Sequence, residues 1–168
     1  MFKKLMPLDP SLISDNPFKL IGADWMLVTA GTLKSFNTMT ASYGALGELW
    51  HRKVAFCFVR PTRYTYEFME KHECFTLSFF EETYRDVLRL CGAKSGREID
   101  KMKGLGLTPV EGESKMVYFN EARLVFECRK IYCHDINPAF FLDAKIDAEY
   151  NQDYHRMYVG EVIRALSR

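Results

Sequence analysis

Two polar segments, each set against an apolar run, carry the residues best suited to chemistry. Asn37-Thr38-Met39-Thr40-Ala41-Ser42-Tyr43-Gly44 offers small hydroxyls at Thr38, Thr40 and Ser42, and Ala41 and Gly44 leave the main chain approachable. Arg60-Pro61-Thr62-Arg63-Tyr64-Thr65 follows directly on Val54-Ala55-Phe56-Cys57-Phe58-Val59 and brings two guanidinium groups. The planar donor fork of arginine matches phosphate oxygens. A helix beginning at this point adds free N–H groups at its N-terminus. Together the segments suit a flat, hydrogen-bonding ligand with a phosphate tail. Taken singly, the first reads better as a polar strand end and turn, because Ser, Thr, Asn and Gly are ordinary turn residues, and the second reads equally well as a solvated strand-to-helix turn.

Two further features stand beside these. In Cys91-Gly92-Ala93-Lys94-Ser95-Gly96-Arg97-Glu98-Ile99-Asp100-Lys101, Ser95 and Glu98 have the spacing of a capping box. That box predicts a short helix ending around Gly104. His155 precedes an apolar stretch, Met157-Tyr158-Val159-Gly160-Glu161-Val162. A lone histidine is more often packed than catalytic, and His51, His72 and His134 carry no pattern that assigns them a role.

The elements that must position these residues are mainly strands. Pro17 is placed to open a short helical turn over Asn16–Ile21. Trp25–Phe36 reads as one strand, interrupted by Gly31 at a bulge or close backbone approach. Val54–Val59 is a continuous apolar run, as expected of a strand covered on both sides. Tyr64–His72 is predicted helical with Thr65 as N-cap, Phe75–Phe80 a strand, and Tyr84–Leu90 a helix stopping near Gly92. Leu124, Phe126 and Cys128 alternate with Arg123, Glu127 and Arg129, the period of a half-buried strand. Phe141–Ile146 and Tyr154–Leu166 are further predicted strands. Strands and helices do not alternate regularly, so a small barrel with helical insertions is expected rather than a doubly wound parallel sheet.

The chain of 168 residues fits one domain, 1–168, and its 48% hydrophobic and 14% aromatic content can supply a core. With 23 basic against 22 acidic residues the formal net charge is +1, which argues against a general nucleic-acid binder. No segment approaches the roughly 20 apolar residues of a membrane span. Met1-Phe2-Lys3-Lys4-Leu5-Met6-Pro7 has charge without a following apolar region and reads poorly as a signal peptide. The five cysteines, Cys57, Cys74, Cys91, Cys128 and Cys133, are odd in number and form no Cys-x-x-Cys. Reduced thiols in a cytoplasmic protein are therefore expected, with no metal site.

The order and spacing of four segments resemble the flavin reductase-like and flavoredoxin proteins, from Trp25 through Val162. Their Asn-x-Met-Thr-x-Ser stretch corresponds to Asn37, Thr38, Met39, Thr40, Ala41 and Ser42. Their phosphate turn corresponds to Arg60, Arg63 and Thr65, with Cys57, Phe58, Val59 and Tyr64 alongside. A Gly-x-x-Ser-Gly-Arg-(Asp or Glu)-x-Asp-Lys stretch corresponds to Gly92–Lys101 and assigns Ser95, Gly96 and Lys101 to the phosphate or ribityl end. A histidine shortly before Gly-Glu-Val corresponds to His155, which the resemblance places against the flavin ring or the incoming reductant. Two departures stand out: Trp50-His51-Arg52-Lys53 replaces a Pro-rich turn, and Tyr43 replaces a tryptophan.

The resemblance implies a mainly β fold with short helices, a Greek-key split β-barrel that binds FMN. It implies reduction by NADH or NADPH, a small-molecule substrate or a redox partner protein, and a homodimer. The chain has no Gly-x-Gly-x-x-Gly after a strand, so the nicotinamide would dock transiently over the flavin rather than on a Rossmann site. An FMN-binding electron carrier without NAD(P)H activity remains the alternative, as does a split barrel serving haem, pyridoxal phosphate or a deazaflavin.

Overall fold

The computed structural model of the protein describes residues 4–168. The leader reading of the first seven residues falls partly outside them. A short edge strand, β1 (Met6–Leu8), leads into a helical turn that Pro17 opens and a π-helical stretch Lys19–Asp24 continues. The strands that follow are β2 (Met26–Thr32), β3 (Ser35–Ala41), β4 (Gly44–Leu49) and β5 (Arg52–Val59). Helix α1 (Tyr64–Lys71), strand β6 (Cys74–Phe79) and helix α2 (Arg85–Ala93) come next. A small hairpin, β7 (Pro109–Glu111) and β8 (Val117–Phe119), precedes β9 (Leu124–Asp135). A short helix, α3 (Ala144–Ala148), separates β9 from the last strand, β10 (Arg156–Ser167).

All large-sheet pairings are antiparallel, in the order β3-β2-β6-β9-β10-β5-β4, with β1 added to β10. This mainly β, antiparallel build with short helices matches the expected class. One apolar core draws on both flanks of the sheet, Met39 from β3 and Cys57 and Val59 from β5, as well as on the centre. Phe75, Phe79, Phe126 and Tyr158 fill it, each almost fully buried. Burying a side chain of this size contributes on the order of 1.5–3 kcal/mol. Phe79 and Phe126 meet edge to face, with centroids 5.8 Å apart. Tyr158 keeps its hydroxyl satisfied by donating to Glu70 Oε1 at 2.6 Å.

Four local expectations are corrected. Trp25–Phe36 is not one strand: β2 ends at Thr32, a turn at Leu33 and Lys34 reverses the chain, and β3 begins at Ser35. Gly31 makes this hairpin possible. It sits at φ +116, and a Cβ there would lie 2.3 Å from the Ser35 carbonyl oxygen. The N-cap of α1 is Arg63 rather than Thr65, whose hydroxyl is used by Asn37 instead. The Ser95/Glu98 pair opens no helix. Ser95 Oγ accepts from the Arg97 amide and its carbonyl takes the amides of Glu98 and Ile99, giving successive turns. Local side-chain bonds of this kind compete with helix formation. Phe141–Ile146 is no strand, because the Asp143 side chain caps α3 and accepts from the Lys145 amide.

The β4–β5 hairpin turns on Trp50 and His51, both at positive φ (54 and 57). Two successive left-handed residues are what a tight hairpin twist requires. The departure from a Pro-rich turn is thus a two-residue reversal. Among the described residues no helix is long and apolar enough to cross a membrane. All five cysteines are free; Cys57, Cys91 and Cys128 are buried and Cys133 is exposed.

Gly160 lies in β10 where two sheet neighbours press closest. A Cβ there would fall 2.6 Å from the Phe75 ring and 2.8 Å from Cys128 Cβ. Gly160→Ala is expected to cost about 1–3 kcal/mol through overpacking. A lower midpoint in chemical denaturation checks this, and an unchanged midpoint would show that the Phe75 ring yields freely.

Candidate functional site

Three polar segments far apart in sequence converge on one cavity. Its volume is about 140 Å³, and Asn37, Met39, Arg63, Thr65, Ser95 and Lys101 line it together with Tyr64, Gly96 and their neighbours. Strand alternation places Asn37 and Met39 on the same face of β3. The β5–α1 turn delivers Arg63 and Thr65, and the turns after α2 deliver Ser95, Gly96 and Lys101. Asn37 ties two of these segments together by donating from Nδ2 to Thr65 Oγ1 at 2.7 Å. The third packs close: a Cβ on Gly96 would lie 2.1 Å from Asn37 Oδ1, so glycine is needed for the approach.

The charges in this cavity are one-sided. Arg63 Nη2 donates to the Gly92 carbonyl at 2.9 Å. Lys101, only 5% exposed, donates from Nζ to the carbonyls of Thr38 at 2.7 Å and Cys91 at 2.9 Å. Neither forms an ion pair with a carboxylate among the described residues, and the charges that act on them are each other, Arg60 and the Cys91 thiol. Burial, with Arg63 adding to it, pushes Lys101 down to about 8, the Cys91 thiol opposing. Burial and Arg60 likewise lower Arg63. An ammonium has three donors, and Lys101 commits two to main-chain carbonyls. A buried cation without a counter-charge is unfavourable. The donor set (two cations, the hydroxyls of Thr65 and Ser95, and the Asn37 amide) fits a phosphate.

His155 and Arg60 belong to a neighbouring cluster. His155 is buried just ahead of β10. Its ring meets Tyr43, Phe58 and Tyr150 edge-on at centroid distances of 5.6, 6.4 and 5.4 Å. Nδ1 lies 3.1 Å from the Tyr150 hydroxyl. Burial first, then the positive charges of Arg60 and Arg63, hold His155 down to about 4, Asp153 opposing. The imidazole is therefore neutral near pH 7. Arg60 turns toward this cluster, its guanidinium 5.2 Å from the centre of the Tyr150 ring and 3.9 Å from Asp153. Because Arg63 acts on His155, the two clusters share one field.

The remaining residues are placed as follows. Thr38 points to the other face of β3, where its hydroxyl meets Thr29 Oγ1 at 2.8 Å. Thr40 donates to the Leu88 carbonyl and so docks α2 on β3. Ala41, Cys57 and Val59 are buried in the core, so main chain is what they offer a ligand. Ser42 and Phe58 are half-buried. Sequence reasoning missed Tyr150, which covers His155, and Asp153, which accepts from Thr62 Oγ1 at 2.7 Å. Nothing in the sequence of the stretch 136–153 announces either. Gly92 was in view as part of a segment, but its carbonyl contact with Arg63 is a tertiary one.

No curated relative matches the sequence. Among solved structures, flavoredoxin of Desulfovibrio vulgaris (Miyazaki F) is 24% identical, with a TM-score of 0.67 over 94% of this chain and 75% of that one. An FMN-binding protein from Thermus thermophilus, solved with p-hydroxybenzaldehyde bound, is 19% identical, with a TM-score of 0.70 over 100% and 81%. The NADH:FAD oxidoreductase of Streptomyces globisporus, in complex with NAD and FAD fragments, is 20% identical, with a TM-score of 0.65 over 84% and 73%. These likenesses establish the split-barrel fold. The profile of the flavin reductase like domain matches residues 19–167, and the chain belongs to that family.

Proposed function

We propose that the protein is an FMN-binding flavoprotein of the NAD(P)H-dependent flavin reductase or flavoredoxin kind. One observation carries this reading: Arg63 and Lys101 face a shared cavity, and no carboxylate answers them among the described residues. A phosphate supplies the missing charge. At about 140 Å³ the cavity lies below the roughly 300–1,000 Å³ of whole-ligand sites, so it takes the phosphate end and not the ring. Ser42, Phe58 and His155 are the residues that would hold the ring side of such a ligand. When bound, the flavin accepts hydride from NADH or NADPH and passes electrons onward. The chain's own task is to bind, orient and exclude water. His155, neutral and wedged among aromatic rings, supports the ring side without supplying a proton.

A carrier role without NAD(P)H turnover is the second reading. It is favoured by the absence of a separate nucleotide-binding motif and by the neutral state of the one histidine at the site. Steady-state oxidation of NADH and NADPH by the FMN-loaded protein separates the two, since a carrier shows no turnover with either.

Arg63→Ala removes a charged donor and is expected to weaken FMN binding by about 1.5–3 kcal/mol. Calorimetric titration checks this, and an unaltered affinity would take Arg63 out of the site. Lys101 gives the affinity a pH dependence of defined sign. FMN phosphate is fully ionised above its second pKa of about 6, while the free protein loses the Lys101 charge as pH rises through about 8. Affinity should therefore fall between about pH 7 and 9.5, and Lys101→Met should flatten that fall. The apoprotein should respond oppositely. Lys101 sits at about 8 folded and 10.5 ordinarily, so the unfolded chain holds the extra proton between these values and stability rises with pH. Finally, His155→Ala should slow flavin reduction by NADH more than it weakens FMN binding. The parent's rate should carry no His155 ionisation between about pH 6 and 8. Stopped-flow traces that match the parent's would make His155 a bystander.

A further inference from the structure

Between β9 and β10 the chain leaves the sheet and lies against the His155 cluster as a strap, residues 136–155. Its base is fixed. The Ile136 amide donates to the His155 carbonyl at 2.9 Å, and just outside it Arg156 clamps both carboxylate oxygens of Asp135, at 2.6 and 2.8 Å. Within the strap, the rings of Phe141, Tyr150 and Tyr154 pack on one another and Tyr154 donates to Asp147 at 2.6 Å, which lets it move as one piece. Phe140, Leu142 and Ile146 on it are exposed. Tyr150 and Asp153 join it to the site. Tyr150 covers His155 and lies 5.2 Å from the Arg60 guanidinium. Asp153 accepts from Thr62 Oγ1 at 2.7 Å and lies 3.9 Å from Arg60. Between them Asn151 and Gln152 are held at φ 48 and 64, a left-handed backbone that costs free energy in residues other than glycine. Releasing the strap lets that backbone relax.

This latch and the phosphate cavity are built from the same turn. Thr62 lines the cavity, and it is the Thr62 hydroxyl that Asp153 holds. An anion in the cavity offers that hydroxyl a competing acceptor, attracts Arg60 and repels the Asp153 carboxylate. The contacts it must displace are weak ones, since a 3.9 Å ion pair open to solvent contributes little. While the latch holds, the ring side is shut, with His155 only 7% exposed beneath Tyr150. We propose that an anion entering the Arg63–Lys101 cavity unlatches the strap and so uncovers the ring side. The inference rests on the phosphate reading of that cavity, and it adds an order of events: the phosphate group binds first and admits the ring second.

Trypsin cleavage after Lys145 reads the strap without any flavin, because the protease needs an extended stretch of chain clear of its neighbours. Inorganic phosphate should speed this cleavage of the apoprotein about fivefold or more over chloride at equal ionic strength. Asp153→Ala and Thr62→Val should be cut quickly in either salt. Melting curves confirm that each folds, and either suffices. Riboflavin, which has the ring without the phosphate, gives the second readout. In stopped-flow fluorescence, inorganic phosphate should raise its association rate with the parent about fivefold or more, and should leave the faster rate of Asp153→Ala unchanged. A chain that binds FMN but not riboflavin is judged by cleavage alone. Cleavage in phosphate no faster than in chloride, or a riboflavin rate that phosphate leaves alone or lowers, would overturn the proposal, and FMN binding in that chain would leave the FMN reading standing without it. Cleavage that phosphate accelerates in a chain holding neither flavin would uphold the strap and remove the FMN reading instead.

Discussion

The bonds from Lys101 Nζ to the carbonyls of Thr38 and Cys91 organise more of this molecule than their number implies. β3 stands at one end of the sheet, where main-chain groups face no further strand. Bare edges invite unwanted pairing and are usually covered or charged. Here α2 and the turns after it form the cover. Thr40 docks to α2 through the Leu88 carbonyl, and Lys101 closes the outer flank through Thr38. The cation that seals the edge is the same one that gives the cavity its sign. Mutation at Lys101 therefore acts on fold and site together, whereas Arg63 reaches only one main-chain carbonyl and can be varied more safely.

The site is assembled from parts that do not depend on one another for their local form. β3 is fixed by its pairing to β2, the β5–α1 turn by the Arg63 amide donating to the Arg60 carbonyl, and the turns after α2 by Ser95. What brings them into register is a few tertiary contacts: Asn37 to Thr65, Arg63 to Gly92, and the bare Cα of Gly96 against Asn37. Each is short, polar and intolerant of added bulk. Such contacts hold a pocket's shape with little apolar burial, which suits a place that must admit water and a charged group in turn.

This division explains what could be read from the sequence. Period-two alternation in β9, the apolar run of β5 and the helix of α1 follow from local pattern and were legible. So was the position of Arg60 and Arg63 in the turn between β5 and α1, where the apolar run ends. The hairpin at Leu33 and Lys34 was not, because its permissive residue, Gly31, lies ahead of the turn and looked like an interruption within one strand. The Ser95/Glu98 spacing matched a helix start, yet the same serine satisfies a local turn equally well, and Lys101 reaching inward decides the outcome. Phe141–Ile146 has a strand's composition but no partner strand, and the Asp143 cap prevails. Tyr150 and Asp153 were invisible because their importance lies in what they touch across the fold.

The electrostatic balance of the site follows from these placements. Arg60 and Arg63 both repel a proton on His155, and Arg63 and Lys101 repel each other across a cavity that lacks an acid among the described residues. In water alone, the cations are stabilised only by carbonyl dipoles and solvent. An anion entering the cavity relieves both repulsions at once, so its binding energy is set as much by the strain it removes as by the bonds it makes. Ligands that bind the folded chain and not the unfolded one stabilise it by mass action. On the proposed reading, phosphate capture would rest on the same cation, Lys101, that covers the β3 edge.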